Sequence, residues 1–386
     1  MRTPLRLHPG LMVVLWLLAL WFGCGGVAQA AEESLAKIKG TAGVLGDLDS
    51  GRVLHAQDAD IRLPPASLTK VMTLYLIYEA LAAGTIQLDT VVMVSENAWR
   101  TGGSKTFVKV GDRVRVEDLI RGIAIQSGND ACVVMAEHLS GSETAFVALM
   151  NTRAAELGMT NSHFTNATGL PDPEHYTSAR DLFTLASALM RKFPQYSHYS
   201  QEKQFTFNNI RQHNRNNLLW RDPIITGLKT GHTREAGYCL IATSDKEGQR
   251  LGAVVMGAPS HKSREDDALR LIHYGNRMYE TVKFFDAKGT VRKLRVWKGD
   301  TREVEGIVAD PLLVTVLRKE RGSVEVGVSY TDPLVAPIVA GQKIGSVVVK
   351  AAGKEILTRD LVAGGAVERG NLFRVMFDAV RMTFNW

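Results

Sequence analysis

The chain has 386 residues, a formal net charge of +6 and a hydrophobic content of 45%, and this length is too great for one ordinary hydrophobic core, so at least two domains are expected. The positive charges are spread along the chain and form no basic patch with interleaved aromatic residues, which argues against a nucleic-acid partner. No cysteine and histidine residues have the spacing of a metal site, so neither a metal nor another cofactor is expected.

The N-terminus has the pattern of an export signal. Two arginines precede the apolar run LMVVLWLLALWF, and small residues follow, with alanines at the −3 and −1 spacing of a signal-peptidase site that ends at Ala30. The sequence therefore predicts a signal peptide over residues 1–30. A permanent membrane span is the weaker alternative, because about 20 apolar residues are needed to cross a bilayer.

The three cysteines do not form an obvious framework. Cys24 lies in the predicted signal peptide, where Trp21 and Phe22 disfavour a lipoprotein site, so the exported chain keeps Cys132 and Cys239. Both lie in apolar stretches, which favours two buried free thiols over a disulfide.

Residues 31–282 combine short alternating strands with long apolar-periodic helices. The stretch AGVLGDLDSGRVLHAQ predicts a hairpin that turns at residues 49–51, and GYCLIATSDKEGQRLGAVVMGAP predicts another near Gly248. Between them, helical periodicity ends at glycine or proline in four segments: LTKVMTLYLIYEALAAG, NDACVVMAEHLSG, SETAFVALMNTRAAELG and SARDLFTLASALMRKF. Strands on both sides of a helical middle indicate an α+β domain whose first and last strands pair in an antiparallel sheet.

The pattern changes after this domain. Short alternating runs separated by turn residues predict a small all-β domain, of the sandwich kind, over residues 286–368. Residues 371–386 follow as an amphipathic helix. Its polar residues form one narrow stripe: Arg374, Asp378, Arg381 and Asn385. This helix either docks on the protein's own core or lies in a membrane interface, and its Trp and Phe content favours the interface.

The first pattern with chemical content is Ser-Leu-Thr-Lys, at residues 67–70. Residues three apart lie on one face of a helix, so the Lys70 amine can reach the Ser67 hydroxyl as a base. A serine at a helix start also lies near free backbone N–H groups, which can hold an anion. These are the features of an activated nucleophile. The pattern alone is weak, since residues 34–37 match it without an apolar helix behind them.

Two further motifs strengthen the prediction. Ser-Gly-Asn at residues 127–129 lies between two helical patterns and can present a hydroxyl and a carboxamide to the same cleft, although residues 95–97 match this motif too. Lys-Thr-Gly at residues 229–231 lies just before the predicted first strand of the C-terminal hairpin. There the glycine permits close approach of a substrate backbone, the threonine offers a hydroxyl and the lysine a fixed charge.

In this order the three motifs resemble those of the active-site serine penicillin-recognising enzymes. The stretches PASLTKVMT, LIRGIAIQSGNDACV, RQHNRNNLLW, GLKTGHTREAGY and RGNLF more closely resemble the low-molecular-mass penicillin-binding proteins of the type-5 and type-6 kind, which are D-alanyl-D-alanine carboxypeptidases. The resemblance covers essentially the whole exported chain. It implies a β-lactamase/transpeptidase-like catalytic domain, with a helical lobe, before the small β domain.

The resemblance also implies a function and a location. Such an enzyme removes the terminal D-alanine from peptidoglycan stem pentapeptides and is acylated by β-lactam antibiotics. It acts in the bacterial periplasm, and the helix at residues 371–386 would hold it at the outer face of the inner membrane.

Residue roles follow from the same resemblance. Ser67 would be the nucleophile and Lys70 its base, and Ser127 would relay the proton to the leaving amine. Asn129 would hydrogen-bond the peptide and orient Lys70. The residues implied for substrate binding are Lys229, Thr230, Gly231, His232 and Arg264.

Each binding residue has an expected part. The Lys229 charge would favour a neutral Lys70 and attract the terminal carboxylate of the substrate, which Arg264 would grip together with Thr230. The backbone N–H groups of Ser67 and His232 would form the oxyanion hole. From the residues alone, Arg264 could equally be a solvated loop arginine.

Other functions remain open. A β-lactamase or a DD-endopeptidase could use the same scaffold, but the chain lacks a Glu-x-x-Leu-Asn motif, and the only candidate for a deacylating carboxylate in TGLPDPEHYTSARD is Glu174. The extra β domain and tail argue against the endopeptidase. A non-catalytic cell-wall-binding protein would be expected to have lost Ser67, Lys70 or Lys229, and none is lost.

Overall fold

The computed structural model describes Leu35 and residues 37–383. The predicted signal peptide, the Ser-x-x-Lys match at residues 34–37 and the last three residues of the predicted C-terminal helix therefore lie wholly or partly outside the described residues. Within the described residues, no helix combines the length and the apolar content needed to cross a membrane.

The first domain is built around a five-stranded antiparallel sheet. The strands of this domain are β1 (Ala42–Asp47), β2 (Val53–Gln57), β3 (Val91–Met93), β4 (Arg113–Arg115), β5 (Gln204–Phe207), β6 (Ile210–His213), β7 (Ile225–Thr233), β8 (Gly237–Lys246) and β9 (Gln249–Ala258). The main sheet has the order β2-β1-β9-β8-β7, while β3 pairs with β4 and β5 with β6. Both predicted hairpins are present, and β1 pairs with β9 as expected.

Helices fill the space around this sheet and the lobe between its hairpins. They are α1 (Lys70–Ala82), α2 (Glu96–Arg100), α3 (Val116–Arg121), α4 (Asn129–Ser140), α5 (Glu143–Glu156), α6 (Ala179–Lys192), α7 (Leu218–Arg221) and α8 (His261–Met278). Short 3-10 turns cover Ala66–Thr69 and Pro194–Ser200, and a π-helical turn covers Gly122–Gln126. The four predicted helical segments correspond to α1, α4, α5 and α6.

Two helices cover opposite faces of the sheet. A Cβ added to Gly46 would lie 2.2 Å from the Phe183 ring of α6, and one added to Gly275 of α8 would lie 3.2 Å from Leu45. Successive residues of a strand point to opposite faces, so the neighbours Leu45 and Gly46 face different helices. This explains why all residues of β1 are buried.

The Lys-Thr-Gly motif precedes β8, the first strand of the C-terminal hairpin, as predicted, but it also lies inside a strand of its own, β7, which the sequence did not indicate. β7 pairs with β8 through Lys229↔Ile241, Thr230↔Leu240 and Gly231↔Cys239. The two glycines of ITGLKTGHT weaken the strand pattern in the sequence, whereas in the structure Gly231 packs closely on the segment before Ser67. β7 is an edge strand, with β8 as its neighbour on one side.

The C-terminal domain is all β and has its own hydrophobic core. Its strands are β10 (Tyr279–Phe285), β11 (Thr290–Trp297), β12 (Glu303–Ile307), β13 (Leu312–Leu317), β14 (Glu325–Tyr330), β15 (Leu334–Val335), β16 (Lys343–Ala351) and β17 (Lys354–Ala363), with a 3-10 turn at Arg318–Ser323. Six strands form one sheet in the order β14-β16-β17-β12-β11-β15, and β10 pairs with β13. The Thr281 hydroxyl donates to Asp47 Oδ2 over 2.6 Å, which joins this domain to β1.

The last helix, α9 (Leu372–Thr383), docks through its polar stripe. Asp378 is 9% exposed, and its Oδ2 accepts a hydrogen bond of 2.6 Å from the Lys298 backbone N–H. The Arg374 guanidinium donates to the Asp300 carbonyl over 3.0 Å. The apolar side chains point the other way, with exposures of 57–86%: Leu372, Phe373, Met376, Phe377 and Val380. Docking of an apolar face on the protein's own core, the less favoured of the two alternatives, is therefore not what this helix does.

Two smaller predictions are also decided. Cys132 and Cys239 are both free and buried. The second Ser-x-Asn match has a structural role, since the Ser95 hydroxyl accepts a hydrogen bond from the Ala98 N–H and caps α2. That serine therefore serves a helix terminus.

The buried carboxylate of Asp130, in α4, holds the backbone of residues 106 and 107. Its removal is expected to lower the stability of the protein. Asp130 is fully buried and accepts hydrogen bonds from the backbone N–H groups of Thr106, Phe107 and Ala131. Asp130→Ala leaves these donors unpaired, so we expect a loss of roughly 2–4 kcal/mol in the free energy of unfolding, measured by urea denaturation. The control Asp118→Ala removes a surface ion pair with Arg115 and should cost less than about 1 kcal/mol. Equal losses in the two variants would contradict this role of Asp130.

Candidate active site

The predicted nucleophile, Ser67, lies at the junction of a 3-10 turn and α1. Lys70, the first residue of α1, is fully buried, and its Nζ lies 2.9 Å from Ser67 Oγ. The same amine donates to the Thr168 carbonyl over 2.5 Å. Ser67 itself is partly exposed. The predicted pair is therefore formed, with the amine below the hydroxyl and the hydroxyl open to a cleft.

Burial lowers the pKa of Lys70 to about 8. The main cause is the loss of hydration of the ammonium, and the Arg215 charge acts in the same direction. The predicted source of this effect is the charge of Lys229, but the pKa of Lys229 is itself lowered well below its usual value, by burial and then by Lys70. A neutral Lys70 amine can accept the Ser67 proton, so its lowered pKa suits a general base near neutral pH.

Ser127 forms the second wall of the cleft. It follows the π-helical turn and has a left-handed backbone, with φ 66°, which is costly for a residue other than glycine. Its Oγ is buried and has no hydrogen-bond partner in the described part of the chain. The hydroxyl is thus available to a molecule in the cleft.

Asn129 has a partner other than the one expected. Its side-chain amide donates to the Gly102 carbonyl over 2.6 Å, and among the described residues no hydrogen bond joins it to Lys70. Lys70 is held instead by Ser67 and Thr168. The amide of Asn129 therefore fixes residues 102–104 beside the cleft.

β7 forms the third wall. A Cβ on Gly231 would lie 3.2 Å from the Ser67 nitrogen and 3.0 Å from the Pro65 carbonyl oxygen, so only glycine lets the strand approach this closely. Lys229 is 2% exposed and donates to the Thr230 carbonyl over 3.0 Å. His232 is exposed, and its ring stacks on Tyr238 with centroids 4.1 Å apart.

Arg264 lies on α8, not in a loop. It is 3% exposed, and its guanidinium donates to the carbonyl oxygens of Gly231 and Cys239 over 3.1 and 3.3 Å. Its Nε has no partner within the described structure. The interpretation as a solvated loop arginine is therefore wrong, and the side chain lies at the cleft.

The cleft has a volume of about 360 Å³. Its lining residues are Ser67, Ser104, Ser127, Arg215, Asn217, Thr230, Gly231, His232, Tyr238, His261 and Arg264. Sequence reasoning assigned no role to Ser104, Arg215, Asn217, Tyr238 or His261. The polar run HNRNN was the available signal for Arg215 and Asn217, because charged residues next to a motif strand often face the same site.

A second groove, of about 460 Å³, adjoins the first on the other side of the nucleophile turn. Its walls include Pro64 and Ala66 from the segment before Ser67, Leu170 from the loop 165–176, Thr233 at the end of β7 and Glu235 after it. Glu174, the candidate deacylating carboxylate, is exposed and lines neither the groove nor the cleft. The residue that points inward beside it is His175.

This arrangement is that of an enzyme that forms an acyl intermediate on serine. A hydroxyl with a buried amine base, a second unpartnered hydroxyl and an edge strand meet at one cleft with two arginines.

Comparisons with known proteins agree with this class. A family model described as D-alanyl-D-alanine carboxypeptidase matches residues 28–260, and one described as the C-terminal domain of penicillin-binding protein 5 matches residues 279–369. D-alanyl-D-alanine carboxypeptidase DacC of Escherichia coli strain K12 is 39% identical over 368 residues, which cover 93% of this chain and 92% of DacC. DacF of Bacillus subtilis strain 168 is 39% identical over 83% of either chain.

A solved structure is similar over almost its full length. The crystal structure of penicillin binding protein 5 from Haemophilus influenzae matches with a TM-score of 0.80 and 38% identity, covering 87% of this chain and 99% of that one. The chain belongs to the D-alanyl-D-alanine carboxypeptidase family of serine peptidases. The predicted fold class, family and enzyme class are thereby confirmed, and the roles of single residues stay predictions.

The pKa of Lys70 gives a prediction for pH dependence. An amine with a pKa of about 8 is neutral, and so able to act as a base, in roughly a tenth of molecules at pH 7. The rate of Ser67 acylation at saturating penicillin should therefore rise with pH, with a midpoint near 8, in stopped-flow measurements. A rate that stays flat from pH 6 to 9 would contradict the role of Lys70 as base.

Proposed function

We propose that this chain removes the terminal D-alanine from peptidoglycan stem pentapeptides through an acyl-enzyme on Ser67. The observation that carries the proposal is the distance of 2.9 Å between Ser67 Oγ and the buried Lys70 amine, at the end of a cleft that also contains Arg264 and Thr230. The name of the family and the sequence resemblance supply the substrate.

The reaction proceeds in two steps. Ser67 Oγ attacks the carbonyl of the penultimate D-alanine while Lys70 takes its proton. The backbone N–H groups of Ser67 and His232 stabilise the oxyanion. Lys70 then gives its proton to Ser127 as Ser127 gives its own to the leaving amine, so the C–N bond breaks, D-alanine departs and both side chains return to their starting state. Water then hydrolyses the ester and frees the shortened peptide.

The charges of the cleft set the direction of the peptide. The leaving D-alanine carries a carboxylate, which suits the end of the cleft where Arg264 and Arg215 lie. The rest of the peptide then leaves Ser67 in the opposite sense, towards the groove between the loop 165–176 and Thr233. Asn129 and the edge of β7 contact the peptide on its way.

A stable adduct with penicillins follows from the surroundings of the ester. Neither carboxylate of the loop 165–176, Asp172 or Glu174, lines the cleft at Ser67, so the loop places none there to activate water in the manner of a β-lactamase. Deacylation of the bulky penicilloyl ester is then slow. We therefore favour a carboxypeptidase over a β-lactamase.

The activity is tested with a peptide that ends in D-Ala-D-Ala. We expect the exported form to release D-alanine and to give a single penicillin adduct on Ser67 by mass spectrometry, and Ser67→Ala should lose both. The control Ser95→Ala removes the serine of the other Ser-x-Asn match, costs about 1 kcal/mol of helix capping and should keep the activity. An adduct that clears within seconds would indicate a β-lactamase, and no release of D-alanine from wild type would refute the proposal.

The proposed location is the periplasm, at the outer face of the bacterial inner membrane. Residues 1–30 would direct export and be removed, residues 31–282 would form the catalytic domain, and residues 286–368 the β domain that raises the site above the bilayer. The orientation of α9 supports the attachment. Its polar stripe is already engaged by the β domain at Lys298 and Asp300, so its exposed apolar face is free to enter a lipid surface.

The attachment is tested with vesicles of phosphatidylethanolamine and phosphatidylglycerol. Full burial of a large apolar side chain contributes roughly 1.5–3 kcal/mol, so Phe373→Ser with Phe377→Ser should abolish co-sedimentation. Deleting residues 371–386 should do the same and leave turnover of short peptides unchanged. The control Trp220→Ser changes an exposed aromatic residue outside α9 and should still sediment. A truncated chain that remains with the vesicles would refute the attachment.

A further inference from the structure

A buried chain of hydrogen bonds links the loop 165–176 to the residue before Ser67. His175 is 3% exposed, and its Nε2 lies 2.8 Å from Thr69 Oγ1. Thr69 is fully buried, and its hydroxyl donates to the Ala66 carbonyl oxygen over 2.9 Å. Neither Thr69 nor His175 is among the residues that line the cleft at Ser67, so these hydrogen bonds lie outside that cleft.

The direction of each hydrogen bond is fixed by its donors. The Thr165 backbone N–H can only donate, and it lies 3.2 Å from His175 Nδ1, so Nδ1 accepts and the proton of a neutral ring is on Nε2. Burial lowers the pKa of His175 to about 4, which keeps the ring neutral at neutral pH. Nε2 therefore donates to the Thr69 oxygen, and the Thr69 hydroxyl proton goes to the Ala66 carbonyl.

The carbonyl at the end of this chain belongs to the same peptide unit as the Ser67 N–H. A peptide unit is planar, so a fixed carbonyl oxygen fixes the direction of the N–H on the other side. Ala66 has φ 48°, in the left-handed region, so this unit is held in an orientation that the backbone does not favour by itself. Gly169 packs on the same carbonyl, and a Cβ there would lie 1.8 Å from the Ala66 oxygen.

We propose that His175 is a positioning residue, which acts through Thr69 and the Ala66 carbonyl to aim the Ser67 N–H at the oxyanion. The inference rests on the proposed function, which makes this N–H one of the two oxyanion donors. His175 is 3% exposed and does not line the cleft at Ser67, although it is among the residues around the second groove. Its effect should therefore fall on the stabilisation of the tetrahedral state and leave substrate binding largely intact.

We call the hydrogen bonds from His175 through Thr69 to the Ala66 carbonyl the relay. It predicts a specific pattern of activities among variants at positions 175 and 69. Loss of a whole oxyanion donor lowers kcat about 100- to 1,000-fold, so a misdirected donor in His175→Ala should lower kcat and penicillin acylation by about 10- to 100-fold, with KM changed less than about threefold. His175→Gln keeps an acceptor and a donor and should recover most of the rate. Thr69→Val, of similar volume but without the hydroxyl, should show the same loss as His175→Ala.

Two further readouts separate the relay from general loosening of the loop. A boronic acid that mimics the substrate forms a tetrahedral adduct on Ser67, so its affinity should fall by a factor similar to the fall in kcat. The pH midpoint of acylation should not move, because Lys70 and its contact with Thr168 are unchanged. In the double variant His175→Ala/Thr69→Val, kcat and boronic-acid affinity should fall no further than in either single variant, because both substitutions break the same series of hydrogen bonds.

The matched control is His163→Ala. This histidine lies in the same region of the chain and contacts the Glu174 carbonyl through Nδ1, but takes no part in the relay. It should keep kcat within about twofold of wild type. Thermal melting is recorded for every variant, and Thr69→Val with boronic-acid affinity carries the test if His175→Ala does not fold.

Several results would overturn the relay. These are additive losses in the double variant, a loss confined to KM, an unrescued His175→Gln with normal melting, or a shifted pH midpoint. The proposed function is judged separately, on wild type alone. If wild type releases D-alanine while Thr69→Val keeps full kcat and boronic-acid affinity, only the relay fails. If wild type neither releases D-alanine nor becomes acylated, both fail.

Discussion

Burial of the Lys70 amine against the Ser67 hydroxyl is the constraint around which the site is arranged. A buried amine needs hydrogen-bond partners, because an isolated charge or unpaired donor in a protein interior costs several kcal/mol. Ser67 supplies one partner and the Thr168 carbonyl another. The same desolvation lowers the pKa of the amine to about 8. Burial of Lys70 therefore requires hydrogen-bond partners around the amine and also makes the amine able to accept a proton near neutral pH.

The loop 165–176 serves this constraint at several points. Its backbone accepts from Lys70 at Thr168 and from the Thr73 hydroxyl at Ala167, over 2.7 Å. The Asn166 side chain accepts from the N–H groups of Thr168 and Gly169 and keeps the loop folded back on itself. A loop with so many fixed contacts is part of the rigid scaffold of the site, because each contact restrains the turn that carries the nucleophile.

Much of this molecule could be predicted from its sequence, where local signals agree with the final fold. The two sheet hairpins and the helix that begins at Lys70 have strong periodicity and clear turn residues, and the three motifs occur in one order. Prediction failed where tertiary contacts decide. In β7, Gly231 is explained by the close approach to Ser67, and Gly227 by Ser200, which a Cβ would meet at 2.9 Å. Arg264 lies on α8 and is buried at the cleft, where it donates to the Gly231 carbonyl. The sequence showed the amphipathic pattern of α9 but not which face docks, because that depends on the Lys298 N–H of another domain.

β7 has a strand neighbour on one side only. The edge of a sheet can pair with any extended chain, since main-chain hydrogen bonds are the same for every residue except proline. Pairing of this kind holds a peptide straight but reads little of its identity. For a peptide bound as proposed, discrimination would then belong to its two ends, since Arg215 and Arg264 line the cleft and Leu170 lines the adjoining groove. Substitutions among the residues at the two ends of the site would then let the same scaffold accept different peptides, while β7 beside Ser67 stays the same.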